Sequence, residues 1–139
     1  MAQAIRDVMT GDPVCMEPGD SAAEAARKMR ECDSGAILVT EDGHLRGLVT
    51  DRDIVVRAVA DGRDPASVPV REICSADLEA LSPDDDVDRA VTLMRERHVR
   101  RIPIVEGDHP VGIVSIGDLA LARDERSALA DISGAPANQ

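Results

Sequence analysis

The 139-residue chain contains no Phe, Tyr or Trp. Its core must therefore be assembled from Val, Ile, Leu, Met and Ala, and it offers no aromatic platform on which nucleic-acid bases could stack. Long apolar runs are missing as well. No stretch approaches the roughly 18 residues of a membrane-spanning helix, and the start, Met1-Ala2-Gln3-Ala4-Ile5-Arg6-Asp7, turns charged without a signal-peptide core. A cytoplasmic location is the expectation. Positive charge is scarce, with 16 Lys and Arg against 27 Asp and Glu and a net charge of −11. That balance speaks against nucleic acid and anionic membrane as partners. The three cysteines, Cys15, Cys32 and Cys74, are odd in number and widely spaced, so no disulfide framework is expected.

What the chain does contain is one motif written twice. Placing Ile5–Ile54 on Val70–Leu119 at a constant offset of 65 residues gives 14 identities over 50 positions. They include Pro18/Pro83, Asp20/Asp85, Ala25/Ala90, Met29/Met94, Ile37/Ile102, Gly47/Gly112, Val49/Val114 and Asp53/Asp118. Two copies are too few for a solenoid. The length suits a single modest core, so the expectation is two similar halves about a pseudo-twofold axis, with any site doubled.

Each half carries the same order of signals. Ser21-Ala22-Ala23-Glu24 has the composition of a capping box, and Ala22, Ala25, Ala26 and Met29 then make an apolar helical stripe that Cys32 extends as a buried small residue. Asp86 with Val87, Ala90, Val91 and Met94 repeats it. The apolar runs Ala36–Val39 and Leu48–Val49, matched by Ile102–Val105 and Ile113–Val114, are joined by Gly- and Asp-rich hairpin turns. A second helix follows each hairpin, over Asp51–Ala60 and from Ile116 to Arg123 or on to Leu129. The fold class is α/β, a β-α-β-β-α unit used twice. Motif 1 spans 5–60, a linker 61–69, motif 2 70–123, and a helix end with a flexible tail 124–139, of which Ser133–Gln139 is small and polar.

The most informative local pattern is the strand-to-helix junction, Gly47-Leu48-Val49-Thr50-Asp51-Arg52-Asp53 and Gly112-Ile113-Val114-Ser115-Ile116-Gly117-Asp118. A hydroxyl at the helix start and a carboxylate three residues later lie at the helix end that attracts phosphate. A carboxylate there is also suited to a ribose diol. The same spacing is that of a capping box, which needs no ligand.

Together with Asp7-Val8-Met9-Thr10, Pro18 and the run Val99-Arg100-Arg101-Ile102-Pro103-Ile104-Val105, these junctions make Ile5–Leu119 resemble a tandem pair of cystathionine-β-synthase-type (CBS) domains, a Bateman module. Thr50–Arg57 further resembles small stand-alone CBS-pair proteins of actinobacteria. The resemblance implies clefts between the halves that bind adenosine-containing ligands: AMP, ADP, ATP or S-adenosylmethionine. Carried over, one cleft would use Thr10, Val14, Ala36, Ile37, Thr50 and Asp53. The other would use Ser75, Glu79, Arg101, Ile102, Ser115 and Asp118. The chain departs from the pattern where Leu38 stands against Pro103, and where Glu79, a carboxylate able to repel phosphate, stands against Val14.

Arg95, Arg97, Arg100 and Arg101 concentrate positive charge in an acidic chain. Arg100 and Arg101 enter the strand expected to line a cleft, and Arg52 adjoins the first junction; guanidinium groups suit phosphate. His44, His98 and His109 lack the spacing of a zinc site, and Cys15 is the thiol placed to sense redox state. No nucleophile–base–orienter set or Gly-rich phosphate loop is present, so no catalysis is expected. The resulting reading is a regulatory homodimer that senses an adenosyl ligand and signals to an effector protein in trans. Two alternatives stay open: a ligand-free interaction module whose junctions only cap helices, and a redox or zinc sensor.

Overall fold

The chain forms two compact units that do not follow the sequence halves, as seen in a computed structural model that describes residues 3–123. Among those residues, one unit comprises 13–78 with 108–110, and the other 3–12 with 79–107 and 111–123. In the first, β2 (Cys15–Met16), β3 (Ala36–Glu41) and β4 (His44–Thr50) form a three-stranded sheet in that order. It is accompanied by α1 (Ala22–Cys32) and by α2 (Asp51–Ile54), which continues as a π-helix over Val55–Val59. In the second, β1 (Thr10–Gly11) pairs antiparallel with β6 (His109–Ser115), and β6 neighbours β5 (Arg101–Glu106). Helices α3 (Val87–Arg97) and α4 (Ile116–Arg123) complete it. The expected continuation to Leu129 and the tail Ser133–Gln139 lie outside the described residues.

Local chemistry accounts for these elements. Ser21 Oγ accepts the Glu24 amide at 3.1 Å, and Asp86 Oδ1 accepts that of Asp88 at 2.8 Å. Each helix ends in a left-handed residue, Asp33 at φ 51° and His98 at φ 56°, whose amide donates to the carbonyl of Met29 or Met94. The first hairpin turns on Asp42 and Gly43, at φ 54° and 80°. Two successive positive φ values define a type I′ turn, whose twist matches that of the strands it joins.

The buried stripe on α1 is Ala22, Ala25 and Met29, and its counterpart on α3 is Val87, Ala90 and Met94. Two residues expected in the first stripe are corrected here: Ala26 and Cys32 are exposed. Ala26 sits about 100° around the helix from Ala25, beyond the narrow buried face. Cys32 is the last residue before the left-handed turn carries the chain away.

The two cores match position by position with one exchange. Ile37, Val39, Val49 and Ile54 in one correspond to Ile102, Ile104, Val114 and Leu119 in the other. The segment leading each repeat packs in the other repeat's core. Ile5 is buried with Val87, Ile102 and Val114, whereas Val70 and Ile73 are buried with Ala22, Ile37 and Val49. Backbone bonds confirm the reciprocity. Ile5 N donates to Asp85 O and Arg6 N to Pro83 O, while Val70 N donates to Asp20 O and Arg71 N to Pro18 O.

Pro103 explains the chief difference between the sheets. Leu38 N donates to Val14 O at 3.0 Å, which supports the parallel β2–β3 ladder. Proline at the equivalent position has no N–H to donate, and the parallel contact there shrinks to an isolated bridge, Leu81 with Ile104.

Candidate functional site

Both strand-to-helix junctions are closed capping boxes. Thr50 Oγ1 accepts the Asp53 amide at 3.1 Å, and Asp53 Oδ2 accepts the Thr50 amide at 2.9 Å. The corresponding bonds between Ser115 and Asp118 measure 3.1 and 2.8 Å. The next amide in each helix is also taken, Asp51 N by Gly35 O and Ile116 N by Arg100 O. Three orphan donors at each helix end are thus satisfied without a ligand.

The groups left over differ. In the first junction the Asp51 carboxylate accepts the Arg52 amide at 2.8 Å, and Arg57 Nε lies 3.9 Å from Asp53 Oδ1. In the second, Ile116 and Gly117 replace Asp51 and Arg52. Among the described residues no side chain caps the Gly117 amide and none pairs with Asp118 Oδ1. Arg100 and Arg101 precede this junction and form no ion pair among the described residues. The second junction therefore keeps an acceptor oxygen and a backbone donor uncommitted, and Arg100, whose carbonyl takes the Ile116 amide, has no ion-pair partner among the described residues.

The exchange of leading segments decides which candidate residues meet. Thr10 pairs with Ile113, two residues before Ser115, in the unit that also holds Arg100, Arg101, Ile102 and Asp118. Ser75 bridges Leu48, two residues before Thr50, in the unit with Val14, Ala36, Ile37, Arg52 and Asp53. Gly47 and Gly112 allow these approaches. A Cβ on Gly47 would lie 2.7 Å from Cys74 Sγ, and one on Gly112 would lie 2.8 Å from the Thr10 carbonyl oxygen. The repeat marked both glycines, but their reason is visible only once the crossing segment is in place. Ile37 and Ile102 are fully buried core side chains, so only their backbone is available to a ligand. Arg52 is exposed, and Val14 packs against the first core. Glu79 is ion-paired with Arg97, which offsets its charge. Arg57, not singled out from sequence, reaches both Asp53 and the Ile73 carbonyl, the latter at 3.3 Å.

The remaining candidates are placed as follows. His98 is the left-handed cap of α3. His44 and His109 face each other with ring centroids 4.8 Å apart, and His109 Nδ1 lies 2.8 Å from Gly43 O. A carbonyl can only accept, so this Nδ1 carries the proton. His44 Nδ1 is 3.1 Å from Asp108 Oδ2, an ion-pair distance without hydrogen-bond geometry. Among the described residues no group of three or more His, Cys, Asp or Glu is arranged to hold a metal. Burial raises the thiol pKa of Cys15 and Cys74, and the Asp53 charge adds to the rise at Cys74, partly offset there by a backbone hydrogen bond and Arg57. Both thiols are thereby held further from the reactive thiolate. Among the described residues, no helix is long and apolar enough to cross a membrane.

Comparison with known proteins agrees with this architecture. The CBS domain model matches residues 5–59 and again 70–125. The CBS domain-containing protein YhcV of Bacillus subtilis is 40% identical over 134 residues, covering 94% of this chain and 95% of that protein. Hypoxic response protein 1 of Mycobacterium tuberculosis is 33% identical over 116 residues, 83% of this chain and 81% of that one. The crystal structure of hypoxic response protein I with two coordinated zinc ions superposes with a TM-score of 0.77 at 32% identity, over 85% of this chain and 97% of that one. The CBS domain pair of protein MJ0100, in complex with 5-methylthioadenosine and S-adenosyl-L-methionine, shares the fold at a TM-score of 0.83 and 21% identity, over 91% of this chain and all of the other. Two matched repeats, with their junctions and exchanged leading segments, place this chain in the CBS domain family as a tandem CBS pair.

Proposed function

We propose that this CBS pair is a regulatory protein that binds AMP, ADP, ATP or S-adenosylmethionine through its second junction and passes its occupancy to an effector protein in trans. The observation that carries the reading is the uncommitted chemistry around Ser115 and Asp118. Asp118 Oδ1 suits a ribose hydroxyl, the Gly117 amide at the start of α4 suits an anionic oxygen, and Arg100 or Arg101 suits phosphate. At the first junction the Asp51 carboxylate takes the equivalent amide and adds negative charge, so Thr50, Arg52 and Asp53 are the weaker candidates for a phosphate. Binding would act by shifting the population of a pre-existing state. The MJ0100 pair, alike in fold, is a neighbour solved in complex with 5-methylthioadenosine and S-adenosyl-L-methionine.

A second reading has its own support. Because both capping boxes are closed in the free chain, the junctions could serve stability alone in a ligand-free interaction module. Thermal unfolding with AMP, ADP, ATP, S-adenosylmethionine and zinc separates the two. A ligand at 100 times its dissociation constant adds about 2.7 kcal/mol, several degrees in a domain of this size. The expected result is a shift from an adenosyl compound that Asp118→Ala abolishes and Asp53→Ala retains. Absence of a shift with every adenosyl compound overturns the sensor reading, and a shift with zinc alone replaces it with a metal sensor.

A further inference from the structure

His44 and His109 hold the same position in the two repeats, each directly after a hairpin turn. Asp108, His109 and Pro110 belong to the compact unit that contains the first hairpin, so the two imidazoles meet within one unit. Equivalent in sequence, they have unlike partners. Leu45 N donates to Asp108 O at 2.9 Å. At the offset of 65 the reciprocal bond would run from residue 110 to Gly43 O, but Pro110 has no N–H to give. The Gly43 carbonyl is therefore left to His109 Nδ1, 2.8 Å away. Glycine is also needed at position 43 for that approach, since a Cβ there would lie 3.2 Å from the same nitrogen.

His44 receives a carboxylate instead. The turns read Asp42-Gly43 and Gly107-Asp108, and this inversion puts Asp108 where the first repeat has Gly43. His44 Nδ1 is buried, 3.1 Å from Asp108 Oδ2, and makes no hydrogen bond. A neutral imidazole that presents its lone pair there sets one acceptor against another. In the charged ring both nitrogens donate, so a proton converts the contact into an ion pair. Histidine changes charge between about pH 5 and 8. His109 cannot take this role, because its Nδ1 proton is committed to the Gly43 carbonyl. The other charged groups of the two turns are Asp42, Glu106 and the Glu41–Arg46 pair at 3.6 Å; none bonds to either imidazole among the described residues.

We propose that His44 and Asp108 form a proton-operated clasp. Charged His44 closes on the Asp108 carboxylate and holds residues 108–110 against the first hairpin; neutral His44 releases them. His109, fixed by Gly43, supplies the ring against which His44 packs. The stabilisation is present below the ordinary range of histidine and is lost as pH rises through it. His44 and His109 are the first residues of β4 and β6, the strands that end at Thr50 and Ser115. The inference is independent of ligand binding.

The Leu45 amide reports the clasp, because its bond to Asp108 O requires residues 108–110 to be docked. Amide hydrogen exchange of the full chain, followed by NMR at low salt at about pH 5.5 and about pH 7.5, gives its protection once the intrinsic rate is corrected for. The Ser75 amide, bonded to Leu48 O at 2.9 Å in the same unit, controls for changes in the stability of the unit as a whole. Protection of Leu45 relative to Ser75 should be about two- to fivefold higher at the acid pH, the range of an exposed ion pair, since His44 and Asp108 are 41 and 62% exposed. Raised salt should shrink the difference. Asp108→Asn keeps the backbone carbonyl and the size of the side chain but not its charge, and should abolish it. A ratio independent of pH in the wild type overturns the proposal. A difference that persists in Asp108→Asn or in His44→Gln assigns the proton to another group and overturns it as well.

Discussion

Replacing Gly112 by alanine tests the exchange of leading segments. Alanine in place of glycine within a strand ordinarily stabilises, by roughly 0.5–1 kcal/mol, because it restricts the unfolded chain. Gly112 has no positive φ to forbid the change. The structure nevertheless reverses the sign. The added Cβ would lie 2.6 Å from Met9 Sδ and 2.8 Å from the Thr10 carbonyl oxygen. The methionine can move, but the carbonyl belongs to β1, paired with β6 at this residue through the Gly11–Gly112 register. Overpacking of this kind costs about 1–3 kcal/mol. At about 4 °C per kcal/mol for a chain of this length, the melting temperature should fall by about 4–12 °C. Gly11→Ala is the control, since nothing lies within 4 Å of its Cβ. The assay is calorimetry or far-ultraviolet dichroism, because intrinsic aromatic fluorescence does not exist in this chain. A melting temperature unchanged or raised in Gly112→Ala would mean that residues 9–11 do not cross β6, and the account of the exchanged segments would fail.

Other expectations follow from single side chains. Asp53→Ala and Asp118→Ala each remove a capping acceptor and should cost about 1 kcal/mol in thermal unfolding without ligand; no loss in either would mean that its box is open in solution. His98→Gly replaces a left-handed residue at φ 56° by one that adopts it freely, and the melting temperature should rise by the equivalent of about 0.5–1 kcal/mol. A fall would assign His98 a contact beyond its capping role. Alkylation followed by mass spectrometry should label exposed Cys32 first at neutral pH, with Cys15 and Cys74 slower because burial raises their pKa. Both thiols stay protonated in the folded chain past the ordinary value of 9.0. The unfolded chain binds fewer protons there, so stability should decline as pH climbs above that value. A melting temperature that rises there contradicts the assigned burial.

Much of the local structure was legible in the residues. The constant offset announced two equivalent units, Asp86 and Ser21 marked helix starts through their side-chain acceptors, and Asp42-Gly43 marked a tight hairpin. The hydroxyl-x-x-Asp spacing led to two junctions whose bonds close as a capping box requires. Such features depend on neighbours three or four residues apart, so they are written within a single window of sequence. The narrower buried face of α1 was not legible, because whether Ala26 and Cys32 are covered depends on the element lying over them. Nor was the difference between the junctions. Asp51 capping the Arg52 amide, and Arg57 reaching Asp53, are choices of rotamer that several residue types could have made.

The exchange of leading segments lies furthest from the sequence. Periodicity marks Ile5, Val70 and Ile73 as apolar and destined for burial, yet it cannot say in which copy of a repeat each will be buried. Two cores built from corresponding residues offer nearly equivalent sockets for either segment. Chain connectivity, and backbone bonds such as Ile5 N to Asp85 O and Val70 N to Asp20 O, select the crossed arrangement. That selection places Thr10 beside the Ser115 junction and Ser75 beside the Thr50 junction. It is a long-range choice, since hydrophobic burial is non-directional and only the assembled backbone specifies the partner.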